Sequence, residues 1–127
     1  MTLPNSEITC LAERGLQYSV ASEANFTCVV IPGYVLPAGY DRAKADLLLR
    51  LSPGFPDVPP DMWWFDPAVR LRDGRSVPAT DVMEYHVGRT WQRWSRHFNP
   101  GQWHAGTDSL ESFLALIRKE LERCAKM

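Results

Sequence analysis

Hydrophobic residues alternate with polar ones over much of the first half of the chain, which is the pattern of β-strands. The stretch Phe26–Val35 is rich in β-branched residues, and Pro32-Gly33 predicts a break or bulge near its end. In the next apolar stretch, Ala45–Leu51, every second residue from Ala45 to Leu51 is apolar and lies on one face, and Leu48 adds apolar bulk to the other face. Four strands are predicted as an antiparallel meander: Leu16–Val20, Phe26–Val35, Ala45–Leu51 and Asp61–Phe65.

The last part of the chain has the periodicity of an amphipathic helix. Asp108 is a suitable N-cap, and Glu111 three residues later completes a capping box. Cys124 falls on the apolar face, and basic residues crowd the C-terminal end, where the helix dipole favours cations. The residues of the apolar face are Leu110, Phe113, Leu114, Ile117 and Leu121.

The segments outside these elements are predicted to be less regular. Asp66–His86 contains several turn signals, and the aromatic and basic cluster Arg89–His97 follows it. A short helix is predicted for Ser6–Arg14, ended by Gly15. Four strands followed by a helix indicate an α+β fold with segregated elements.

The composition is that of an ordinary globular domain, since 45% of the 127 residues are hydrophobic and 23% are charged. We therefore expect a single domain over residues 1–127. The net charge of −1 does not favour a nucleic acid or a membrane surface as partner. No signal peptide or membrane span is predicted.

The three cysteines are widely spaced and show no metal-ligand spacing, so we expect a cytoplasmic protein without cofactor or metal.

The order of landmarks resembles the ubiquitin-conjugating (E2) family. Phe55-Pro56-x-x-Pro59-Pro60 after a leucine-rich strand is similar to the aromatic-Pro-x-x-Pro-Pro turn of that family. Trp103 ahead of an amphipathic helix is similar to the tryptophan that precedes the family's crossover helix. The phrases PPDMWWFDP, GRTWQRWSRH and W-x-x-G-x-D-x-L most resemble prokaryotic E2 family E, and the resemblance covers Gly15 to Glu122.

This resemblance implies a UBC-like fold in which the meander is followed by an irregular active-site region and the C-terminal helix. It also implies three partners: a ubiquitin-like protein, an E1-like adenylating enzyme and a JAB-type peptidase of the same pathway. We expect the chain to depart from the family pattern, with a short N-terminal helix, no counterpart of the family's last helices and extra residues between Pro60 and His86. Val87 stands where the family has an asparagine that helps to stabilise the oxyanion.

The family's nucleophilic cysteine lies eight residues before the tryptophan, and that position here is Ser95. A serine hydroxyl needs a general base within hydrogen-bond reach. His97 and His86 are the candidate bases, two and nine residues from Ser95. Two alternatives to a serine nucleophile stay open. A native cysteine could have been replaced by serine, or the protein is an inactive E2 variant that only binds a ubiquitin-like protein or its E1.

An acyl transfer through Ser95 also needs hydrogen-bond donors for the developing oxyanion. Gln92, Arg96 and the backbone around Ser95 are the candidates, and Trp103 completes the candidate site. A more ordinary interpretation makes the histidines structural and the tryptophans core residues. A third function, single-strand nucleic-acid binding, would use the arginines and tryptophans of Arg89–His97.

The cysteines offer no obvious replacement nucleophile. Cys28 and Cys124 fall among apolar residues and are predicted to be buried. Cys10 is the one that we expect to be exposed, but no histidine or other base lies near it in the sequence.

Overall fold

The computed structural model describes residues 15, 17–55, 57–58, 60, 62–96, 103–104 and 110–127. These residues form one antiparallel sheet of six strands in the order β1-β2-β3-β4-β6-β5, followed by one helix. The strands and the helix α1 have these bounds: β1 Ser19–Glu23, β2 Phe26–Val35, β3 Lys44–Leu51, β4 Met62–Asp66, β5 Val82–His86, β6 Arg89–Ser95 and α1 Leu110–Cys124.

The first four strands confirm the predicted meander, with bounds that differ by one to three residues except for β2, which matches. The break predicted at Pro32-Gly33 is also confirmed, because the register of β2 on β3 shifts between Ile31 and Tyr34. Gly33 takes a positive φ of 63°, which costs glycine little. Its N–H donates to Asp46 Oδ1 on β3 at 2.8 Å, which ties the bulge to the neighbouring strand.

The prediction that Asp66–His86 is irregular is wrong at its end, and the cluster Arg89–His97 begins with a strand that was not predicted. Val82–His86 and Arg89–Ser95 form a hairpin, and β6 inserts beside β4. Its two-residue turn, Val87-Gly88, has positive φ at both positions (43° and 83°), as in a type I′ turn. Valine is unusual there, so the sequence carries no ordinary hairpin signal. Residues 67–81 are irregular as predicted, apart from a bridge between Tyr40 and Leu71.

Helix α1 confirms the predicted amphipathic pattern and packs on one face of the sheet. The predicted apolar residues and Cys124 are all buried. Facing them, alternate residues of β2, β3, β4 and β6 complete the larger core. Tyr40 Oη donates to the carbonyl of Leu121 at 2.6 Å, and the Trp63 ring meets Phe113 edge-on at 6.2 Å. The predicted N-cap Asp108 lies outside the described residues, as does the helix predicted for Ser6–Arg14.

The other face of the sheet carries a second, smaller apolar cluster. Cys28, Leu48, Trp64 and Trp91 are buried there, one from each of β2, β3, β4 and β6. The sheet curls over this cluster. At one end of the curl, the Glu23 side chain at the end of β1 contacts His86 and Val87 at the β5–β6 turn. We call this the concave face.

No helix in the described ranges is both long enough and apolar enough to cross a bilayer.

Candidate functional site

Ser95 is the last residue of β6 and lies half-buried at the end of the sheet. Its N–H donates to the carbonyl of Ala79 at 3.0 Å, and its register partner on β4 is Met62. Side chains alternate along a strand. Because Trp94 belongs to the α1-side core and Trp91 to the concave cluster, Ser95 is directed to the concave side. No described residue donates to or accepts from its hydroxyl oxygen.

The structure does not bring His86 to Ser95. His86 pairs with Arg89, at the opposite end of β6 from Ser95. Six residues of strand correspond to roughly 20 Å. The candidate base His86 is therefore out of hydrogen-bond reach of Ser95. His97, the other candidate base, lies outside the described residues.

His86 instead belongs to a charged cluster on the concave face that the sequence did not indicate. Its Nδ1 lies 3.2 Å from Glu23 Oε1, and its Nε2 lies 3.1 Å from Glu84 Oε1. Trp64 meets the imidazole edge-on at 5.4 Å and donates its Nε1–H to Glu84 at 2.9 Å. Arg93 pairs with the other oxygen of Glu84 at 2.8 Å. Glu23 and His86 are 63 residues apart, so no local pattern could have revealed the cluster.

The two carboxylates of this cluster are stabilised in their charged form. The backbone N–H of Val87 donates to Glu23 Oε2 at 2.8 Å and lowers the pKa of Glu23, with smaller contributions from His86 and Arg50. Burial alone would raise the pKa of Glu84. The hydrogen bonds from Trp64 and His86 and the charge of Arg93 outweigh that effect, so the pKa of Glu84 is lowered as well.

Gln92, a candidate oxyanion donor, is buried, and both its amide oxygen and its amide nitrogen already have partners. The side-chain oxygen accepts the N–H of Val69 at 2.8 Å and the Nε1–H of Trp94 at 2.9 Å. The side-chain nitrogen donates to the carbonyl of Val69 at 3.0 Å. These bonds hold the loop after β4 against β6. Gln92 is thus placed as a structural residue on the α1 side, away from the Ser95 side chain.

Arg96, the other candidate donor, joins the end of β6 to α1. Its Nε donates to Glu120 Oε2 at 2.6 Å and its Nη1 to the carbonyl of Ser95 at 2.8 Å. The guanidinium carbon lies 5.2 Å from the ring centroid of Trp94 and 5.9 Å from that of Trp63. Arg96 therefore fixes the backbone of Ser95 relative to the helix, and its donors are directed to groups already present.

The other arginines of the Arg89–His97 cluster are also bonded within the chain. Arg89 Nη1 lies 3.0 Å from both Asp46 and Asp66, and its guanidinium stacks on Trp91 at 4.1 Å. Arg93 is held by its ion pair with Glu84. The tryptophans that would stack on bases, Trp91 and Trp94, are fully buried, which disfavours the single-strand binding function.

Trp103 lies against the larger core, next to the proline-rich corner. Its ring centroid is 6.4 Å from that of Phe55, at an interplanar angle of 46°. Two landmarks of the sequence resemblance, 48 residues apart, are therefore in contact.

The described cysteines are poor substitutes for a catalytic thiol. Cys28 and Cys124 are buried as predicted, with relative exposures of 0% and 1%. Burial raises the pKa of both thiols, although the neighbouring Arg50 and Arg96 act in the opposite direction. A raised pKa leaves less thiolate at neutral pH. Cys10 lies outside the described residues.

A curled antiparallel sheet with a C-terminal helix on one face is compatible with an E2-like fold. The chain belongs to prokaryotic E2 family E, whose family model matches residues 3–124. Membership of this family indicates, in general terms, an E2-like role in ubiquitin-like protein conjugation, with a ubiquitin-like protein and an E1 as partners. Comparisons with curated proteins and with solved structures give no significant match.

Proposed function

We propose that this protein is the E2-like component of a bacterial ubiquitin-like conjugation pathway and that it holds the C-terminal tail of a ubiquitin-like protein delivered by an E1 partner. The observation that carries this proposal is the family match over residues 3–124. The contact between Phe55 and Trp103 supports it, because it joins the two parts of the chain on which the E2 resemblance rests. A JAB-type peptidase of the same pathway is a further proposed partner.

The geometry of the described residues supports binding of the tail better than its covalent transfer. A transfer to Ser95 would replace the bond between the tail carbonyl and the E1 thiol by an oxyester, while a base takes the hydroxyl proton. His86 is out of reach of that hydroxyl. The amide of Gln92 and the guanidinium of Arg96 already have partners. The first candidate is therefore an E2 variant that binds the ubiquitin-like protein without forming an ester.

Acyl transfer through Ser95 is the second candidate, favoured by the eight-residue spacing of Ser95 to Trp103. His97 is the proposed base in this case. An oxyester is less reactive towards amines than a thioester, so this enzyme would act slowly or need activation by a partner. A native cysteine in place of Ser95 would give the ordinary thioester reaction instead.

Intact-mass spectrometry separates the two candidates. The protein is incubated with ATP, a candidate E1-like enzyme and a candidate ubiquitin-like protein. For the binding function we expect complex formation without a mass increase, unchanged in Ser95→Ala. A mass increase of one ubiquitin-like protein that resists thiol, breaks in alkali and is lost in Ser95→Ala would establish acyl transfer.

The same experiment tests the assignment as a whole. Because no described side chain bonds to the hydroxyl of half-buried Ser95, Ser95→Ala is expected to fold normally, and its thermal unfolding provides the control. Absence of both adduct and binding to either partner in the wild-type protein would contradict the proposed function.

A further inference from the structure

The outer edge of β5 is an exposed apolar strand. β5 is the last strand in the sheet order, and within the described ranges it pairs only with β6. Val82, Met83 and Tyr85 are 37%, 53% and 69% exposed. β5 contains neither lysine nor proline, the residues that natural edge strands use against pairing with another chain. An edge of this kind is suited to pairing with an added strand.

The register of the hairpin shows which backbone groups this edge offers. His86 and Arg89 close a two-residue turn, so they form a hydrogen-bonded pair, and the pairs alternate from there. Met83 and Tyr85 therefore occupy the non-hydrogen-bonded positions, and their N–H and C=O groups point away from β6. The same two residues supply the two most exposed apolar side chains of the strand, both on one face.

A second copy of this chain is a poor occupant of the edge. Two-fold antiparallel pairing centred on β5 would place two Glu84 carboxylates opposite each other, and like charges in that position are unfavourable. A pair of five-residue strands also buries only a fraction of the roughly 1,000 Å² that a stable interface needs.

We propose that the outer edge of β5 binds the extended C-terminal tail of the ubiquitin-like protein as an added strand. This inference rests on the proposed function. An extended tail offers main-chain donors and acceptors to Met83 and Tyr85, whose outward N–H and C=O groups have no backbone partner among the described residues. The chain before β5 runs along β6 as far as Ser95, because the N–H of Ser95 donates to the carbonyl of Ala79. A strand added to β5 would therefore end near Ser95, the candidate acceptor of the acyl group.

The negative charge of Asp81 near this edge favours tails that carry a basic residue. Asp81, just before β5, is exposed and has no cationic partner among the described residues, whereas Glu84 is paired with Arg93. A tail with a basic residue near Asp81 therefore matches this edge better than an acidic one.

Hydrogen exchange followed by NMR tests the proposal. The probe is a synthetic peptide that copies the C-terminal tail of the ubiquitin-like protein used in the adduct experiment. In the free protein we expect the amide protons of Met83 and Tyr85 to exchange faster than those of Val82, Glu84 and His86. With peptide at about ten times its Kd, exchange at Met83 and Tyr85 slows about tenfold, because only the free fraction exchanges. Unchanged exchange at both residues, or protection at another strand instead, overturns the proposal.

Two edge variants and one matched control make the test specific. Met83→Lys and Tyr85→Lys are expected to weaken peptide binding at least tenfold, since they place a charge where the tail would pack. Val35→Lys changes a valine on β2 that is 57% exposed, and it should bind like the wild type. Equal binding by all three variants overturns the proposal, and their circular dichroism spectra verify that each is folded.

The outcome is distinguishable from failure of the proposed function. If the full ubiquitin-like protein and E1 bind normally to Met83→Lys and Tyr85→Lys, the proposed function stands and the β5 docking is wrong. If the tail peptide protects Met83 and Tyr85 but the wild-type protein neither binds E1 nor forms a complex with the full ubiquitin-like protein, the docking stands and the conjugation role is wrong.

Discussion

The buried polar residue Gln92 is explained by its immediate hydrogen-bond partners. Gln92 is 5% exposed in the middle of β6, where an apolar residue would be expected. Its amide bonds to both backbone groups of Val69 and to the indole of Trp94. Because residues 67–81 form no ladder with the sheet, this one side chain satisfies backbone groups that would otherwise be buried without partners.

Replacing Gln92 by methionine keeps the volume and removes these bonds. Each buried group left unsatisfied costs about 1–3 kcal/mol, so we expect the free energy of unfolding to fall by about 2–4 kcal/mol. Urea denaturation measures the loss. Thr90→Met on the exposed part of the same face is the control and should change stability by less than about 0.5 kcal/mol. A similar small loss for both variants would show that the bonds of Gln92 contribute little.

Gly39 lets the loop before β3 approach the end of α1. An added Cβ would lie 2.8 Å from Ala125 Cβ, and φ is +111°. Gly74 is a matched control, because its φ is +90° but nothing lies within 4 Å of an added Cβ. We expect Gly74→Ala to cost about 1–2 kcal/mol for the backbone conformation alone.

Gly39→Ala is expected to cost about 1–3 kcal/mol more than Gly74→Ala, since the steric clash adds to the backbone cost. Thermal and urea unfolding of the two variants give the difference. The double variant Gly39→Ala with Ala125→Gly should recover part of it, because the nearest contact is then removed. Equal losses for the two single variants would contradict the close approach of the loop to α1.

At the scale of elements, two hairpins hold the curled sheet closed. The turns Ala24-Asn25 and Val87-Gly88 both have positive φ throughout. Glu23, just before the first turn, accepts the N–H of Val87 in the second and contacts His86. The edge strands β1 and β5 are far apart in the sheet order, so this junction closes the concave face over its apolar cluster.

The contacts of Glu23 and Glu84 at this junction predict that the free energy of unfolding decreases at acidic pH. The folded-state pKa values of Glu23 and Glu84 are lowered from 4.5, so their contribution is fully present above that value and is lost as the pH falls through the folded pKa values. Glu23→Gln and Glu84→Gln should be less stable at neutral pH and lose less stability below pH 4.5. Urea unfolding at a series of pH values measures this, with Glu122→Gln, 57% exposed, as control. Parallel pH profiles for the wild type and both cluster variants would contradict the prediction.

At the scale of the whole molecule, one sheet separates two apolar clusters. The larger lies between the sheet and α1, and the smaller lies under the curl of the concave face. Adjacent residues of β3 serve both, because Leu48 belongs to the concave cluster and Leu49 to the larger core. Since the two clusters share the same strands, we expect them to fold together as one domain.

Leu48→Ala and Leu49→Ala test this unity. Both leucines have 0% exposure, so each change should cost about 2–5 kcal/mol and leave a single unfolding transition. The double variant should lose nearly the sum of the two, because the side chains have separate partners on opposite faces. Circular dichroism and tryptophan fluorescence measured together verify the single transition. Two separate transitions in either variant would show that the clusters are independent units.

Local patterns predicted much of this fold. Alternation along β2 and β3, the bulge at Pro32-Gly33 and the apolar stripe of α1 were all readable, since each depends on side chains within one element. The hairpin of β5 and β6 was missed because its turn is Val87-Gly88 and the charges of Arg89 and Arg93 obscure the alternation. Gln92 and Arg96 are candidate donors only by their proximity to Ser95 along the chain, and that proximity does not reveal the hydrogen-bond partners that they have in the fold.

Residue type and spacing were sufficient to establish the strand and helix periods, the burial of Cys28 and Cys124 and the family resemblance. The curl of the sheet, the charged cluster around His86 and the separation of His86 from Ser95 emerged only from the folded chain. Those features depend on strand register and on contacts between residues more than sixty positions apart. The order of residues along the chain does not determine how close two such residues lie in the fold.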